Sequence, residues 1–197
     1  MQDQRHEEFI GILLAAGRGA RFDPTGATNK LLQQLGNGDA VVTTAAKNLQ
    51  AALPLVLAVV RPGADKVKAQ LQEIGCEVTV CEQAGDGMGV SLVHALSQAR
   101  DACGWLIALG DMPYVQPATM RTLLNAIRQG ADIAVPTYQG RRGNPVAFGK
   151  KLLPELLQLH GDEGARRLLA THALTEIAVN DDGIYRDIDR IEDIVGK

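Results

Sequence analysis

Long apolar segments are absent from this sequence. No run reaches the roughly 18 residues that a membrane-spanning helix requires. Residues 1–8 are polar and charged, and the apolar segment 9–16 that follows them is too short for an export signal. We therefore expect a cytoplasmic protein with no membrane partner.

Cysteine is scarce. Cys76, Cys81 and Cys103 are the only three, and they include no Cys-x-x-Cys pair. An odd and widely spaced set argues against a disulfide framework and against a zinc site. No cysteine lies in an electropositive loop, so we expect small, buried side chains and no thiol nucleophile.

Positive charge is not in excess, since the formal net charge is −3. A mildly acidic surface binds nucleic acid poorly because the phosphate backbone demands basic residues. We expect no nucleic-acid partner, and any phosphate must be bound by a local group of residues.

The 197 residues, of which 46% are hydrophobic and 22% charged, suit a single domain, 1–197, with its own core. Apolar runs alternate with amphipathic segments, which predicts a Rossmann-like, three-layer α/β/α fold with a mostly parallel central sheet. The predicted strands are 9–15, 55–60, 76–81, 105–109, 133–136, 146–148, 175–179 and 184–188. The predicted helices are 40–53, 65–74, 90–100, 117–129, 152–159 and 165–172, with a last helical turn at the end.

Ligands of such sheets bind at the carboxyl ends of the strands, and the loop after the first strand is rich in glycine and basic residues. Gly17 and Gly19 allow backbone N–H groups to approach phosphate oxygens. Arg18, Arg21 and Lys30 add positive charge that suits phosphate groups. This pattern indicates a phosphate-binding loop, although a tight turn with solvated arginines would have the same residues.

Two common nucleotide-binding loops are excluded. The dinucleotide fingerprint requires a third glycine where Phe22 stands, and an acidic residue after the second strand, where Arg61 stands. The Gly-x-x-x-x-Gly-Lys-Ser/Thr loop is absent as well. The first loop must therefore be of a third kind.

Carboxylates that could hold Mg²⁺ follow two predicted strands. Asp111 comes directly after the buried strand 105–109, and Asp187 and Asp189 share one face of the strand 184–188 if it alternates. Mg²⁺ takes one or two carboxylates and completes its shell with phosphates and waters. The alternatives are a turn aspartate at position 111 and solvent-facing acids at 187 and 189, with Asp189 capping the last helix.

Three further polar loops are candidates for substrate contacts. The loop 84–92 leads to Ser91 at a helix start, which is suited either to a phosphate or base or to ordinary capping. The loops 140–145 and 161–166 suit a second substrate or are surface turns. We expect His94 to be structural.

In their order and spacing, the motifs resemble the molybdenum cofactor nucleotidyltransferase family over residues 10–194, and most closely its cytidylyltransferase branch. The segments that carry the resemblance are LAAGRGARF (14–22) with Lys30, GVSL (89–92), GDMP (110–113), GNPV (143–146), GDEGAR (161–166) and DID (187–189).

The resemblance implies roles for individual residues. A catalytic role falls to Arg21, Lys30 and Asp111, and the cofactor is Mg²⁺ held by Asp111 and Asp189. Ala16 favours CTP, because members that use GTP have glycine there. The nucleotide-binding residues are Leu14, Ala15, Ala16, Gly17, Arg18, Gly19, Arg21, Lys30, Gly89, Ser91 and Gly110. The acceptor-binding residues are Asn144, Pro145 and Asp162.

The activity implied is transfer of CMP from CTP to the phosphate of molybdenum-loaded molybdopterin, with release of pyrophosphate. An apo-molybdoenzyme or its chaperone would receive the product. Two alternatives remain at this point: a transferase that uses GTP or a sugar or alcohol phosphate, and a non-catalytic module that binds and delivers nucleotide or cofactor.

Overall fold

A central sheet organises the chain. In the computed structural model, which describes residues 8–195 except 20, 24, 26 and 27, eight strands form one sheet. The strands are β1 (Phe9–Ala15), β2 (Val56–Val60), β3 (Glu77–Val80), β4 (Gly104–Leu109), β5 (Ile133–Tyr138), β6 (Arg141–Arg142), β7 (Val146–Gly149) and β8 (Thr175–Ala178).

The sheet is mostly parallel. Its order is β3-β2-β1-β4-β7-β5-β6, and β8 pairs with β5. The pairs β1–β2, β1–β4, β2–β3 and β5–β8 are parallel. Strand β7 is antiparallel to both of its neighbours, β4 and β5.

Helices cover both faces of the sheet, which confirms the predicted three-layer α/β/α class. Alternate side chains of β1 show why, because Leu13 packs in one core cluster and Ile12 in the other. The helices are α1 (Val41–Gln50), α2 (Asp65–Glu73), α3 (Met88–Gln98), α4 (Pro117–Arg128), α5 (Leu153–Leu156), α6 (Arg166–Thr171) and α7 (Glu192–Val195). Within the described parts of the chain, no helix is both long and apolar enough to cross a bilayer.

The cysteines follow expectation in part. Cys76 and Cys81 are buried in the two core clusters, and Cys103 is partly buried. Burial raises the pKa of the Cys76 thiol to about 11, so this thiol stays protonated at neutral pH.

The prediction of a strand at 184–188 is wrong. A 3₁₀ turn, Asp182–Tyr185, begins the segment, and the following residues are irregular. Gly183 passes so close to the backbone of Tyr114 that a Cβ would overlap it. The backbone then pairs with loops, because Asn144 N donates to Ile184 O over 3.0 Å and Ile188 N donates to Asp111 O over 2.9 Å.

The start of β4 yields a stability prediction. A Cβ at Gly104 would lie 2.6 Å from Phe148 O and 2.7 Å from the Phe9 ring. We expect Gly104→Ala to lower the free energy of unfolding by about 1–3 kcal/mol, as overpacking in a core does. Urea denaturation measures the change.

Gly36→Ala is the matched control, since a Cβ there has no atom within 4 Å. We expect its free energy of unfolding to stay within about 0.5 kcal/mol of the wild type. Equal stability of the two variants would show that β4 and β7 do not pack as described.

Candidate functional site

The loops after β1 and β4 begin side by side. These neighbouring strands are parallel, and Leu14 pairs with Leu109 near their carboxyl ends. In the sheet, β1 has β2 on one side and β4 on the other. The chain runs from β1 to β2 and reaches β4 only later, so the boundary between β1 and β4 is a switch point of the sheet. Ligands of open α/β sheets bind at such points.

A cavity of about 350 Å³ lies over this edge of the sheet. Its volume falls in the range of about 300–1,000 Å³ that is typical of small-molecule sites. Residues of both loops, the 3₁₀ turns Lys30–Leu32 and Ala84–Asp86, and the start of α3 line it. They are Leu14, Ala15, Ala16, Gly17, Arg18, Gly19, Lys30, Leu31, Ala84, Gly85, Gly87, Met88, Ser91, Leu109, Asp111 and Asp162.

Lys30 is the central charge of the cavity wall. It is only 8% exposed, and its Nζ donates to Asp111 Oδ2 over 2.6 Å and to Asp189 Oδ1 over 3.2 Å. Burial alone would lower the pKa of Lys30, but the two carboxylates outweigh it and raise the pKa. The side chain is therefore an ammonium group at every physiological pH.

The loop between Arg21 and Lys30 is held by a carboxylate. Asp23 accepts hydrogen bonds from the hydroxyl and the backbone N–H of Thr25, at 2.6 and 2.8 Å, and from Thr28 N at 2.7 Å. These bonds, the Thr25 hydroxyl first, lower the pKa of Asp23 to about 2. Asn29 then caps the turn Lys30–Leu32 by accepting from Leu31 N.

Asp189 has a cationic donor on each of its oxygens. Oδ1 accepts from Lys30, and Oδ2 accepts from Arg21 Nη1 over 3.2 Å. Partial burial would raise the pKa of Asp189, but the bonds from Lys30 and Arg21 lower it. The Arg21 side chain is 85% exposed. Arg21 and Asp189 do not line the cavity of about 350 Å³ but a separate one beside Phe22.

The alternative role of Asp189 as a helix cap is wrong. The side chain of Asp193, in the first turn of α7, accepts hydrogen bonds from Asp189 N over 2.9 Å and from Arg190 N over 2.7 Å. The Asp189 carboxylate instead accepts hydrogen bonds from Lys30 and Arg21. Withdrawal from water, and then the negative charges of Asp189 and Asp111, raise the pKa of Asp187.

The donor set fits a divalent cation that also binds its substrate. Asp111 and Asp189 converge on one ammonium group, so both carboxylates reach a common position. Among the described residues, no three His, Cys, Asp or Glu side chains are grouped for a metal ion. Two carboxylates with phosphate oxygens and waters are the ligands that Mg²⁺ uses in such sites.

Some predicted residues lie elsewhere. Gly89 and Gly110 do not line the cavity: a Cβ on Gly89 would lie 2.9 Å from Gly161 O, and one on Gly110 would lie 3.2 Å from Leu14 O. Both glycines permit close backbone packing beneath the cavity. His94 is structural, since its ring pairs with Thr79 and Gln98.

The three residues predicted to bind the acceptor do not line one common cavity. Asp162 lines the main cavity, whereas Asn144 lines an adjoining cavity of about 110 Å³ that shares Leu14, Met88 and Leu109 with it. Pro145 lines neither of the two.

Sequence reasoning missed part of the cavity wall. Gly87 has φ +125°, and a Cβ on it would overlap the backbone of Gly161, so it brings the 161–163 turn against the start of α3. The glycines at 87 and 89 are the signal of this close approach in the sequence. Met88 and Leu31 carried no signal, because apolar residues beside polar motifs usually belong to the core.

Comparison with known proteins agrees with this geometry. The MobA-like NTP transferase domain family matches residues 11–177. The purine catabolism protein PucB of Bacillus subtilis (strain 168) is 31% identical over an alignment of 206 positions, which covers 96% of this chain and 95% of PucB.

Solved structures share the fold. Rv0371c of Mycobacterium tuberculosis H37Rv superposes with a TM-score of 0.81 at 30% identity, over 95% of this chain and 96% of its own. Its complex with manganese gives 0.79 at 28% identity, over 96% and 100%.

Molybdopterin-guanine dinucleotide biosynthesis protein A of Archaeoglobus fulgidus is a more distant likeness, of fold alone. It gives a TM-score of 0.66 at 19% identity, over 94% of this chain and 95% of its own. Because the family match covers most of the chain and its loops form the cavity described above, this chain belongs to the family of MobA-like NTP transferase domains and is a nucleotidyltransferase.

Proposed function

We propose that this enzyme transfers CMP from CTP to the terminal phosphate of a molybdopterin-type acceptor and releases pyrophosphate. The observation that carries the proposal is the Lys30 ammonium held between Asp111 and Asp189 in the wall of the glycine-lined cavity. A buried cation beside two acids is suited to a substrate that carries several negative charges and a divalent ion.

The reaction needs charge stabilisation rather than a protein base. An anionic acceptor oxygen forms a bond with the α-phosphorus of CTP, and the bond from that phosphorus to the α,β-bridging oxygen breaks. Lys30 and Arg21 neutralise the leaving pyrophosphate, and backbone N–H groups of residues 17–19 bind the phosphates. Mg²⁺ held by Asp111 and Asp189 would neutralise charge that develops on the phosphate oxygens.

The wall at Ala16 supports a pyrimidine nucleotide. Ala16 is 7% exposed, follows Ala15 at the end of β1 and lines the cavity. A base bound against this wall would have less room beside the Ala16 methyl group than beside a glycine, which agrees with the CTP preference that the family resemblance implies.

The adjoining cavity supports an acceptor that approaches from the side of β7. Asn144 and Arg166 supply polar groups there, in a lining that is otherwise mostly apolar. A ring system with hydrogen-bonding edges suits such a lining. Its phosphate tail would be directed toward the main cavity, which adjoins this one at the shared residues Leu14 and Leu109.

Pyrophosphate release with Mg²⁺ and molybdenum-loaded molybdopterin tests the proposal, with CTP, GTP, ATP and UTP compared. We expect strong preference for CTP. Preference for GTP would overturn the argument from Ala16. Release only with a sugar or alcohol phosphate would overturn the acceptor, and silence with every pair would favour a binding and delivery module.

The Asp111 carboxylate gives the sharpest mutational prediction. We expect Asp111→Asn to fold normally and to lose on the order of 10²–10³ in kcat, the usual cost of removing a preorganised charge from a transfer centre. Steady-state kinetics with a thermal melt measures both. Asp132→Asn is the control, because Asp132 is an exposed acid that pairs with Lys151 at the opposite edge of the sheet; equal kcat in both variants would remove Asp111 from the mechanism.

Lys30 is expected to affect binding and turnover together. Lys30→Gln removes the charge but keeps much of the side chain, so the KM for CTP should rise and kcat should fall about 10²-fold. Lys47→Gln breaks only an exposed pair with Asp39 and should leave both constants unchanged. A Lys30→Gln enzyme with wild-type constants would contradict the role of Lys30.

Ala16→Gly tests nucleotide choice. Removing one methyl group from the wall should shift the ratio of kcat/KM for CTP over GTP toward GTP by about tenfold or more, the effect of one methylene in an apolar pocket. The ratio is measured by competition between the two nucleotides. An unchanged ratio would place the discrimination on another wall of the cavity.

A further inference from the structure

Asp181 is a charged side chain buried outside the cavity. It is only 2% exposed, whereas most carboxylates of a protein lie at its surface. A buried carboxylate lowers stability unless its oxygens accept hydrogen bonds. The partners of Asp181 therefore indicate what it holds in place.

Three donors satisfy the Asp181 carboxylate. Oδ2 accepts Gln116 N over 2.9 Å and the Thr119 hydroxyl over 2.6 Å, and Oδ1 accepts Gly183 N over 3.0 Å. Gln116 and Thr119 belong to the start of α4, which has no side-chain cap of its own. Asp181 thus caps this helix from about sixty residues further along the chain, where the helix dipole favours a negative charge.

The segment 181–189 is attached to the loop after β4 at two points. Asp181 holds one end of the segment at Gln116, and Ile188 N donates to Asp111 O at the other end. Between these points Gly183 lies against the Tyr114 backbone. The two acids that pair with Lys30, Asp111 and Asp189, are carried by these two facing stretches of chain.

We propose that Asp181 is a positioning residue of the transfer site: by fixing segment 181–189 on the loop 111–116, it holds the Asp189 carboxylate where it shares one cation with Asp111. The inference rests on the proposed role of Asp111 and Asp189 in binding Mg²⁺. Asp181 lines neither the main cavity nor the adjoining one, so its effect on the site would pass through Asp189.

Mn²⁺ binding, followed by electron paramagnetic resonance of the free ion, tests this directly and without turnover. We expect Asp181→Asn to fold and to raise the Kd of the protein for Mn²⁺ about tenfold, as loss of a residue that orients metal ligands commonly does. Val67→Ala is the control, because Val67 is buried on α2 and does not line the cavity. It should lower the Tm and leave the Kd unchanged.

A Kd for Asp181→Asn that equals that of Val67→Ala would overturn the proposal. If Asp181→Asn does not fold, Thr119→Val removes one of the three donors instead. The Kd for Mn²⁺ should rise in Thr119→Val and return to the wild-type value in Thr119→Ser. An unchanged Kd in Thr119→Val would also overturn the proposal.

Asp189→Asn separates the cation role of Asp189 from the positioning role of Asp181. Wild-type Mn²⁺ binding in Asp189→Asn would reject the cation role itself. Weakened binding in Asp189→Asn with an unchanged Kd in Asp181→Asn would reject only the positioning role.

Discussion

The ammonium group of Lys30 lies where burial alone would favour its neutral form, and two carboxylates keep it charged. These carboxylates come from positions 81 and 159 residues further along the chain. A buried ammonium group without any carboxylate partner is strongly unfavourable, so the burial of Lys30 depends on the packing of the loop after β4 and of the C-terminal segment against the first loop. The same three charges are those through which the proposed phosphate groups and divalent ion would be bound.

The parallel pairing of β1 with β4 makes this meeting possible. Their carboxyl ends lie at one level, so the glycine loop and Asp111 start from adjacent points of a rigid sheet. Asp189 reaches the site from an irregular segment, with no strand directly before it. The bonds of Ile188 to Asp111 and of Asp181 to the start of α4 take the place of strand pairing.

Local pattern was enough to predict β1–β5, β7 and β8, the longer helices and the three-layer class, because each of these elements has its own periodic run of apolar residues. The ion pair between Lys30 and Asp111 was not predicted, since the family resemblance implied a role for each residue but no contact between them. Asp189 was predicted for an incorrect reason, since the strand 184–188 does not exist and the close approach of Gly183 to Tyr114 leaves no local signal. The cap that Asp181 provides was invisible in the sequence, because nothing near position 181 shows that α4 lacks a cap. Likewise, Gly89 carries a nucleotide-type motif but packs on Gly161, and only tertiary contacts separate these two uses of a glycine.

The reversed direction of β7 determines which of its two flanking loops reaches the ligand edge of the sheet. A parallel strand delivers the loop that follows it to the ligand edge, but β7 delivers the loop that precedes it, with Val146 paired to Ile107 near the end of β4. The residues around Asn144 and those around Gly17 therefore reach a common edge from strands of opposite sense. The proposed acceptor contact of Asn144 thus lies on a different loop from the glycines of the first loop and from Asp111, although Asn144 N is linked to segment 181–189 through Ile184 O.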